Sequence, residues 1–142
     1  MAARRLAVAL LARRDYCSGE LRSKLQRKGF TPDIVDPLIE DLRRQRALDD
    51  ERYIERFVAY RAAKGQGPIR ILAELRPLGL PEESIERHLE SLGDWRNRAQ
   101  AVRVKKFGAE VPRDFAARAR QARFLEYRGF EGDQVRSALD GE

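Results

Sequence analysis

The sequence predicts an all-α fold, an elongated curved array of three tandem three-helix repeats of about 50 residues each. Three observations support this prediction: an internal repeat, helical spacing of the apolar residues within each copy, and the lack of a sustained alternating pattern typical of strands. Because three short helices bury little apolar surface alone, we expect neighbouring repeats to stack on one another.

The repeat is marked by a glycine followed by an apolar residue. The pairs Gly29-Phe30, Gly79-Leu80 and Gly129-Phe130 are spaced 50 residues apart. Apolar residues also recur four positions before each glycine and six and ten positions after it, namely Leu25, Leu75 and Leu125, then Val35, Ile85 and Val135, then Ile39, Leu89 and Leu139. We therefore expect repeats at residues 1–48, 49–93 and 94–142.

Helix start and stop signals divide each repeat into three helices. Gly29 suits a helix end, while Thr31 and Pro32 suit the cap and first residue of the next helix. The expected helices are 4–15, 19–29 and 32–46, then 50–64, 68–78 and 82–92, then 95–107, 113–128 and 132–139. Pro37 and Pro77 lie inside two of them, so we expect a kink or an early stop at each.

Aromatic residues are expected to contribute to packing. Tyr53, Phe57 and Tyr60 share a helical stripe that we interpret as core, and Trp95 is interpreted as an anchor between the second and third repeats. Phe115 and Phe124 lie on different sides of one helix, which predicts that this helix is packed from two sides.

Basic residues are concentrated at the two ends of the chain. The net charge is +6 overall, made up of +5 in residues 1–48, −2 in residues 49–93 and +3 in residues 94–142. This distribution favours contact of the terminal repeats with a polyanion or an acidic surface. The candidate contact residues are Arg13, Arg14, Arg22, Lys24, Arg27, Lys28, Lys64, Lys105, Lys106, Arg120, Arg123 and Arg128.

Several function classes find no support in the sequence. One cysteine and one histidine exclude an internal disulfide and disfavour a structural zinc site. The segment 65–68 lacks the remainder of a phosphate-binding loop, and the acidic run 49–51 is better interpreted as helix capping than as a metal site. The apolar run 6–12 is far too short for a membrane span, and it is closed by Arg13, Arg14 and Asp15 without the small-residue cleavage pattern of an export signal. We expect a cytoplasmic, non-enzymatic protein without metal or cofactor.

Five stretches of the chain, taken together in their order and spacing, carry a family resemblance. They are Leu10–Asp15 with Glu20–Leu25, Leu48–Tyr53 with Phe57-Val58, Lys64–Pro68 with Ile71 and Glu74-Leu75, Asp94-Trp95 with Lys106–Gly108, and Arg123–Phe130. Over nearly its whole length the chain thereby resembles the RecX family of recombinase regulators.

The resemblance implies three tandem three-helix repeats and a function. It implies a protein that binds the RecA–single-stranded DNA filament in its helical groove and inhibits ATP hydrolysis, strand exchange and filament extension. Homologous recombination and the SOS response to DNA damage would be modulated as a result. The resemblance also implies weak binding to DNA itself. We also expect this protein to be a monomer.

One alternative from another functional class remains open. Three-helix units and a basic surface also suit a sequence-nonspecific DNA-binding module that needs no recombinase. Such a module would lose affinity steeply with salt, whereas a filament regulator would act far below stoichiometry with DNA and only in the presence of recombinase.

Overall fold

The computed structural model describes residues 2–142, and this part of the chain forms nine α-helices and no strand. The helices are α1 (Ala2–Arg13), α2 (Ser18–Arg27), α3 (Pro32–Arg44), α4 (Asp50–Ala63), α5 (Pro68–Leu75), α6 (Glu82–Leu92), α7 (Trp95–Phe107), α8 (Phe115–Tyr127) and α9 (Gly132–Asp140). A short 3₁₀ turn, Arg76–Leu78, follows α5. The predicted all-α class is confirmed, and every predicted helix is present.

The helices form three bundles, each with its own apolar core. Unit one comprises α1–α3, unit two α4–α6 and unit three α7–α9, and the most extensive helix contacts lie within a unit. Representative fully buried side chains are Leu25 in unit one, Ile71 in unit two and Leu125 in unit three. The exposed surface of 8782 Å² exceeds the roughly 7,500 Å² expected for a compact monomer of 16.4 kDa. An extended array of small cores accounts for this excess. The exact boundaries between repeats stay a prediction.

The repeat found in the sequence has a conformational cause. Gly29, Gly79 and Gly129 end the middle helix segment of their units with φ angles of +97°, +79° and +96°. A side chain at such an angle is strained, so glycine recurs where the chain turns into the third helix of each unit.

The two prolines inside predicted helices behave differently. At Pro77 the prediction of an early stop is confirmed, because α5 ends at Leu75 and a 3₁₀ turn follows. At Pro37 the helix does not stop, since α3 continues to Arg44. Buried side chains on both sides of Pro37, among them Val35 and Leu42, hold α3 in place despite the missing backbone N–H.

Two aromatic residues expected in the core are exposed instead. Tyr60 is 61% exposed because Ile54, Val58 and Ala62 form the buried stripe of α4, and position 60 lies about 160° from the middle of that stripe. Phe115, at the first position of α8, is 88% exposed, so the predicted packing against it is wrong. Trp95 contacts the cores of units two and three, as predicted.

Neighbouring units meet through hydrogen bonds to the backbone and through a few buried side chains. Between units one and two, the Asp50 carboxylate accepts a hydrogen bond of 2.7 Å from the Ser18 amide, and Cys17 is buried in the core of unit two. Between units two and three, the Gly67 amide donates to the Arg128 carbonyl at 2.8 Å, and the Ile69 amide donates to the Gly129 carbonyl at 2.9 Å. At both junctions the start of a middle helix packs on the turn that ends the next unit's middle helix segment.

Two arginines of unit three are committed to structure rather than to the surface. Arg103 is fully buried, and its guanidinium donates to the carbonyls of Gly108 and Glu110 at 3.3 and 3.0 Å. Arg118 pairs with Asp140 at 2.9 Å. Both side chains therefore hold the loop and the end of unit three and are not candidates for partner contact.

Candidate polyanion-binding groove

A groove of about 390 Å³ runs between units two and three and is lined by cations. It is bounded by the end of α4, by one face of α7 and by the last turn of α8. The lining contains no carboxylate and has five basic side chains, Lys64, Arg98, Lys105, Lys106 and Arg128. We call these five residues the cationic groove.

The junction between units creates this groove. Lys64 and Arg128 are the C-terminal cap residues of α4 and α8, and the Arg128 guanidinium donates to the Lys64 carbonyl at 3.3 Å. These residues are 64 positions apart in the sequence. The backbone hydrogen bonds at Gly67 and Ile69 bring the two helix ends together, so the position of the groove depends on the junction.

One aromatic ring, that of Phe124, lines the cationic groove, and the ring of Tyr60 lies beside Lys64. The Lys106 ammonium and the Arg128 guanidinium lie 5.6 and 5.2 Å from the Phe124 ring centroid. The Lys64 ammonium lies 5.3 Å from the ring of Tyr60, which is exposed. Positively charged grooves with interleaved aromatic rings are typical of surfaces that bind single-stranded nucleic acid.

The charge of the groove is not neutralised by the protein. Lys64, Lys105 and Lys106 form no ion pair with any carboxylate in the described part of the chain, and Arg98 donates to the Gly93 carbonyl at 3.0 Å. Clustered cations without acidic neighbours attract a counterion, and a polyanion supplies several at once.

The candidate contact residues divide into three groups. Four of them lie in the cationic groove: Lys64, Lys105, Lys106 and Arg128. Four others line a groove between α2 and the turn 77–79, which we call the amino-terminal groove: Arg14, Arg22, Lys24 and Arg27. The remaining four are exposed but line neither groove: Arg13, Lys28, Arg120 and Arg123.

The amino-terminal groove is weaker electrostatically than the cationic groove. Arg14 lies 3.4 Å from Glu20, and Arg22 lies 3.2 Å from Asp36. The Arg14 guanidinium also stacks on the Tyr16 ring at 3.8 Å. Two of its four cations are thus already engaged within unit one, which leaves Lys24 and Arg27 for a partner.

Sequence reasoning missed Arg98, the fifth cation of the cationic groove. A helical signal could have found it, since Arg98 and Lys105 are seven residues apart and therefore lie on one face of α7. The repeat does not identify Arg98, and Arg98 is not next to another basic residue in the sequence, as Lys105 and Lys106 are.

The acidic run at the start of unit two makes structural contacts, and the predicted capping of α4 is confirmed for Asp49. The Asp49 carboxylate caps α4 by accepting from the Arg52 amide at 3.0 Å, while Asp50 caps α2. Glu51 contacts both Arg87 and His88. Partial burial raises the pKa of Glu51, but hydrogen bonding from His88 and Arg87 outweighs it and holds this pKa below its usual value. Each of the three carboxylates thus has its own partner.

Residues 2–142 contain neither a cluster of metal-ligating side chains nor a membrane-spanning helix. No group of three or more His, Cys, Asp or Glu side chains is arranged to hold a metal ion. None of the described helices combines the length and the hydropathy required to cross a bilayer.

Comparison with known proteins agrees with the three-unit architecture. The chain matches the family models for the first, second and third three-helix domains of RecX over residues 3–42, 49–89 and 94–139. It is 46% identical to the regulatory protein RecX of Halorhodospira halophila, covering 96% of this chain and 86% of that protein. It is 42% identical to the RecX of Pseudomonas syringae pv. tomato, covering 99% of this chain and 92% of that protein.

The fold is also that of solved structures. The crystal structure of RecX from Lactobacillus salivarius superposes with a TM-score of 0.85 at 18% identity, covering 98% of this chain and 95% of that chain. A second RecX crystal structure superposes with a TM-score of 0.81 at 20% identity. Sequence and fold together show that the chain belongs to the RecX family of regulatory proteins.

Proposed function

We propose that this protein binds the RecA–single-stranded DNA filament in its helical groove and inhibits recombinase ATPase, strand exchange and filament extension. It would thereby modulate homologous recombination and the SOS response in the cytoplasm, acting as a monomer that binds and does not catalyse. Membership of the RecX family supports a regulatory role. The observation that carries the proposal is the acid-free cationic groove at the junction of units two and three.

The shape and charge of the molecule suit a filament better than a free subunit. An extended array of three units can contact more than one protomer and the DNA at once. Once one contact has formed, the effective concentration for the next contact is higher, because both belong to the same molecule. Inhibition follows when the bound protein occupies the space of an incoming duplex or favours a protomer spacing that disfavours the active state.

The experiment measures recombinase ATPase on single-stranded DNA with the protein far below stoichiometry with DNA. The test variant reverses three charges of the cationic groove, Lys64→Glu, Lys105→Glu and Lys106→Glu. A control with the same change in net charge reverses Arg5, Arg113 and Arg136, which are exposed and lie outside both basic grooves. We expect the test variant to need roughly tenfold or more protein for half inhibition, because each reversal replaces attraction to phosphate by repulsion.

Equal inhibition by the test and control variants would refute the role of the groove. Failure of the unmodified protein to inhibit, or a requirement for saturation of the DNA, would refute filament regulation itself. The experiment therefore distinguishes a wrong assignment of the binding site from a wrong assignment of the function.

The cations of the groove and the two neighbouring aromatic rings also favour a second candidate function, sequence-nonspecific binding of DNA without a recombinase. Fluorescence anisotropy with labelled single-stranded DNA at several salt concentrations tests it. Removal of three phosphate contacts would make the negative slope of log affinity against log salt shallower by about 2. Tight binding to free DNA, combined with inhibition only at DNA-saturating concentrations, would favour this alternative.

A further inference from the structure

A second groove at the junction of units two and three has the opposite charge. It measures about 400 Å³ and shares no lining residue with the cationic groove. Three carboxylates surround it, those of Glu86, Glu90 and Glu131. We call these three residues, with the apolar side chains between them, the acidic groove.

The floor of the acidic groove is apolar and accessible. Ile69 is 52% exposed at the start of α5, and Leu72 and Trp95 are half-buried beside it. The Trp95 indole N–H is already used, since it donates to the Leu89 carbonyl at 2.9 Å. Trp95 therefore offers the groove an apolar ring surface and no free donor.

The carboxylates at the rim lack a cation of their own. Glu86 and Glu90 are exposed, lie four residues apart on α6, and form no ion pair in the described chain. Glu131 caps the start of α9. The one cation in the lining, Arg76, is bound to Glu82 with its Nε 2.8 Å from the carboxylate. Like charges at this helical spacing repel, so an occupant that supplies cations would relieve the repulsion.

The two grooves adjoin on α7. Trp95 lines the acidic groove, Arg98 lines the cationic groove, and the Arg98 guanidinium lies 5.6 Å from the Trp95 ring centroid. When a ligand occupies the cationic groove, any molecule bound to that ligand therefore lies close to the acidic groove. In a protein–DNA assembly, the protein surface beside the DNA is rich in Lys and Arg, because these residues contact the phosphates.

Resting on the proposed function, we infer that the acidic groove docks a cationic apolar segment of the recombinase, one with Lys or Arg beside aliphatic side chains. The DNA of the same filament occupies the cationic groove. The aliphatic side chains cover Ile69 and Trp95, and the cations pair with Glu86, Glu90 and Glu131. The junction of units two and three thus binds both components of a nucleoprotein filament, through surfaces of opposite charge.

The test compares binding to the recombinase–single-stranded DNA filament with binding to free single-stranded DNA. The variant Glu86→Lys/Glu90→Lys raises the net charge by four, and the control Glu55→Lys/Glu83→Lys raises it equally at exposed positions of unit two outside both grooves. Thermal unfolding of both variants checks that the fold is retained. The milder pair Glu86→Gln/Glu90→Gln removes the carboxylates without reversing the charge.

The direction of the change in filament affinity distinguishes docking in the acidic groove from general attraction to DNA. We expect Glu86→Lys/Glu90→Lys to weaken filament binding about tenfold or more and the Gln pair to weaken it less, while affinity for free DNA stays equal or rises. General attraction to DNA predicts the reverse, because a more positive protein would bind the filament more tightly.

Unchanged or tighter filament binding by Glu86→Lys/Glu90→Lys would overturn this proposal alone. A parallel loss of free-DNA binding would also overturn it, because the groove would then act on DNA or on the fold. Failure of the unmodified protein to bind the filament would instead refute the proposed function, and this docking site with it.

Discussion

Gly29 and Gly129 occupy the same position in the first and third units, which makes them a matched pair for testing the junction. Both end a middle helix in the left-handed region, with φ angles of +97° and +96°. A Cβ atom at Gly29 would meet nothing within 4 Å. At Gly129 it would lie 2.4 Å from the Arg70 Cβ and 2.6 Å from the Arg70 backbone nitrogen, across the junction with unit two.

The difference between Gly29→Ala and Gly129→Ala isolates the contribution of the junction. Each substitution incurs the cost of a left-handed conformation, roughly 1–2 kcal/mol. In Gly129→Ala the overlap with Arg70 must also open by about 1 Å to reach van der Waals contact. That movement lengthens the adjacent 2.8 and 2.9 Å hydrogen bonds of the Gly67 and Ile69 amides beyond bonding distance. Loss of these two bonds adds about 1–3 kcal/mol.

Two measurements check this expectation. Urea unfolding of both variants should show Gly129→Ala to be the less stable by about 1–3 kcal/mol. Hydrogen exchange of the Gly67 and Ile69 amides should accelerate about 10- to 100-fold in Gly129→Ala and stay unchanged in Gly29→Ala.

Equal stability of the two variants, with unchanged exchange at Gly67 and Ile69, would refute the reasoning. It would mean that the close approach of Gly129 to Arg70 does not hold units two and three together. The cationic groove depends on the contact of Lys64 with Arg128 across the same junction, so the integrity of the groove can be tested independently of the free energy of unfolding.

Two predictions concern the junction of units one and two. Asp50→Ala should lower the free energy of unfolding by about 1 kcal/mol, because the Ser18 amide at the start of α2 loses its acceptor. Asp50→Asn should retain most of the stability. Equal losses of stability for the two variants in urea unfolding would contradict this expectation. Burial raises the pKa of the Cys17 thiol from 9.0 to about 11, because the folded state favours the neutral thiol. The neutral thiol therefore contributes to the free energy of unfolding below pH 9, and this contribution is lost as the pH rises towards 11. Cys17→Ser should therefore lose less stability than the unmodified protein between pH 9 and 11, and the native thiol should react with a disulfide reagent at pH 8 far more slowly than the denatured one. A fast-reacting native thiol would contradict the burial of Cys17.

Local rules account for what sequence reasoning predicted correctly. Glycine at a left-handed helix end, proline at a first helical position and apolar residues at helical spacing act over a few residues, so all nine helices of residues 2–142 could be predicted. The errors arose where tertiary contacts decide. Tyr60 shares a stripe with Phe57 by spacing, yet the neighbouring helices of unit two cover Val58 and Ala62 instead.

The site could be predicted only in part, for a related reason. Sequence reasoning named Lys64, Lys105, Lys106 and Arg128 as candidate contacts but could not show that they meet, whereas Arg14 and Arg22 proved to be paired with carboxylates. Which cations remain unpaired depends on the distance to an acid elsewhere in the chain, and sequence clustering does not report that distance.

From the sequence alone follow the triplicated unit, the number and order of the helices and the family, since these depend on local backbone preferences and on the order of short motifs. The placement of Lys64 beside Arg128, and of an acidic groove next to a cationic one, was decided only by the tertiary structure. The physical reason is that the orientation of one unit on the next depends on contacts between residues far apart in the sequence, among them Gly67 with Arg128 and Gly129 with Arg70. These contacts determine which distant side chains share a groove.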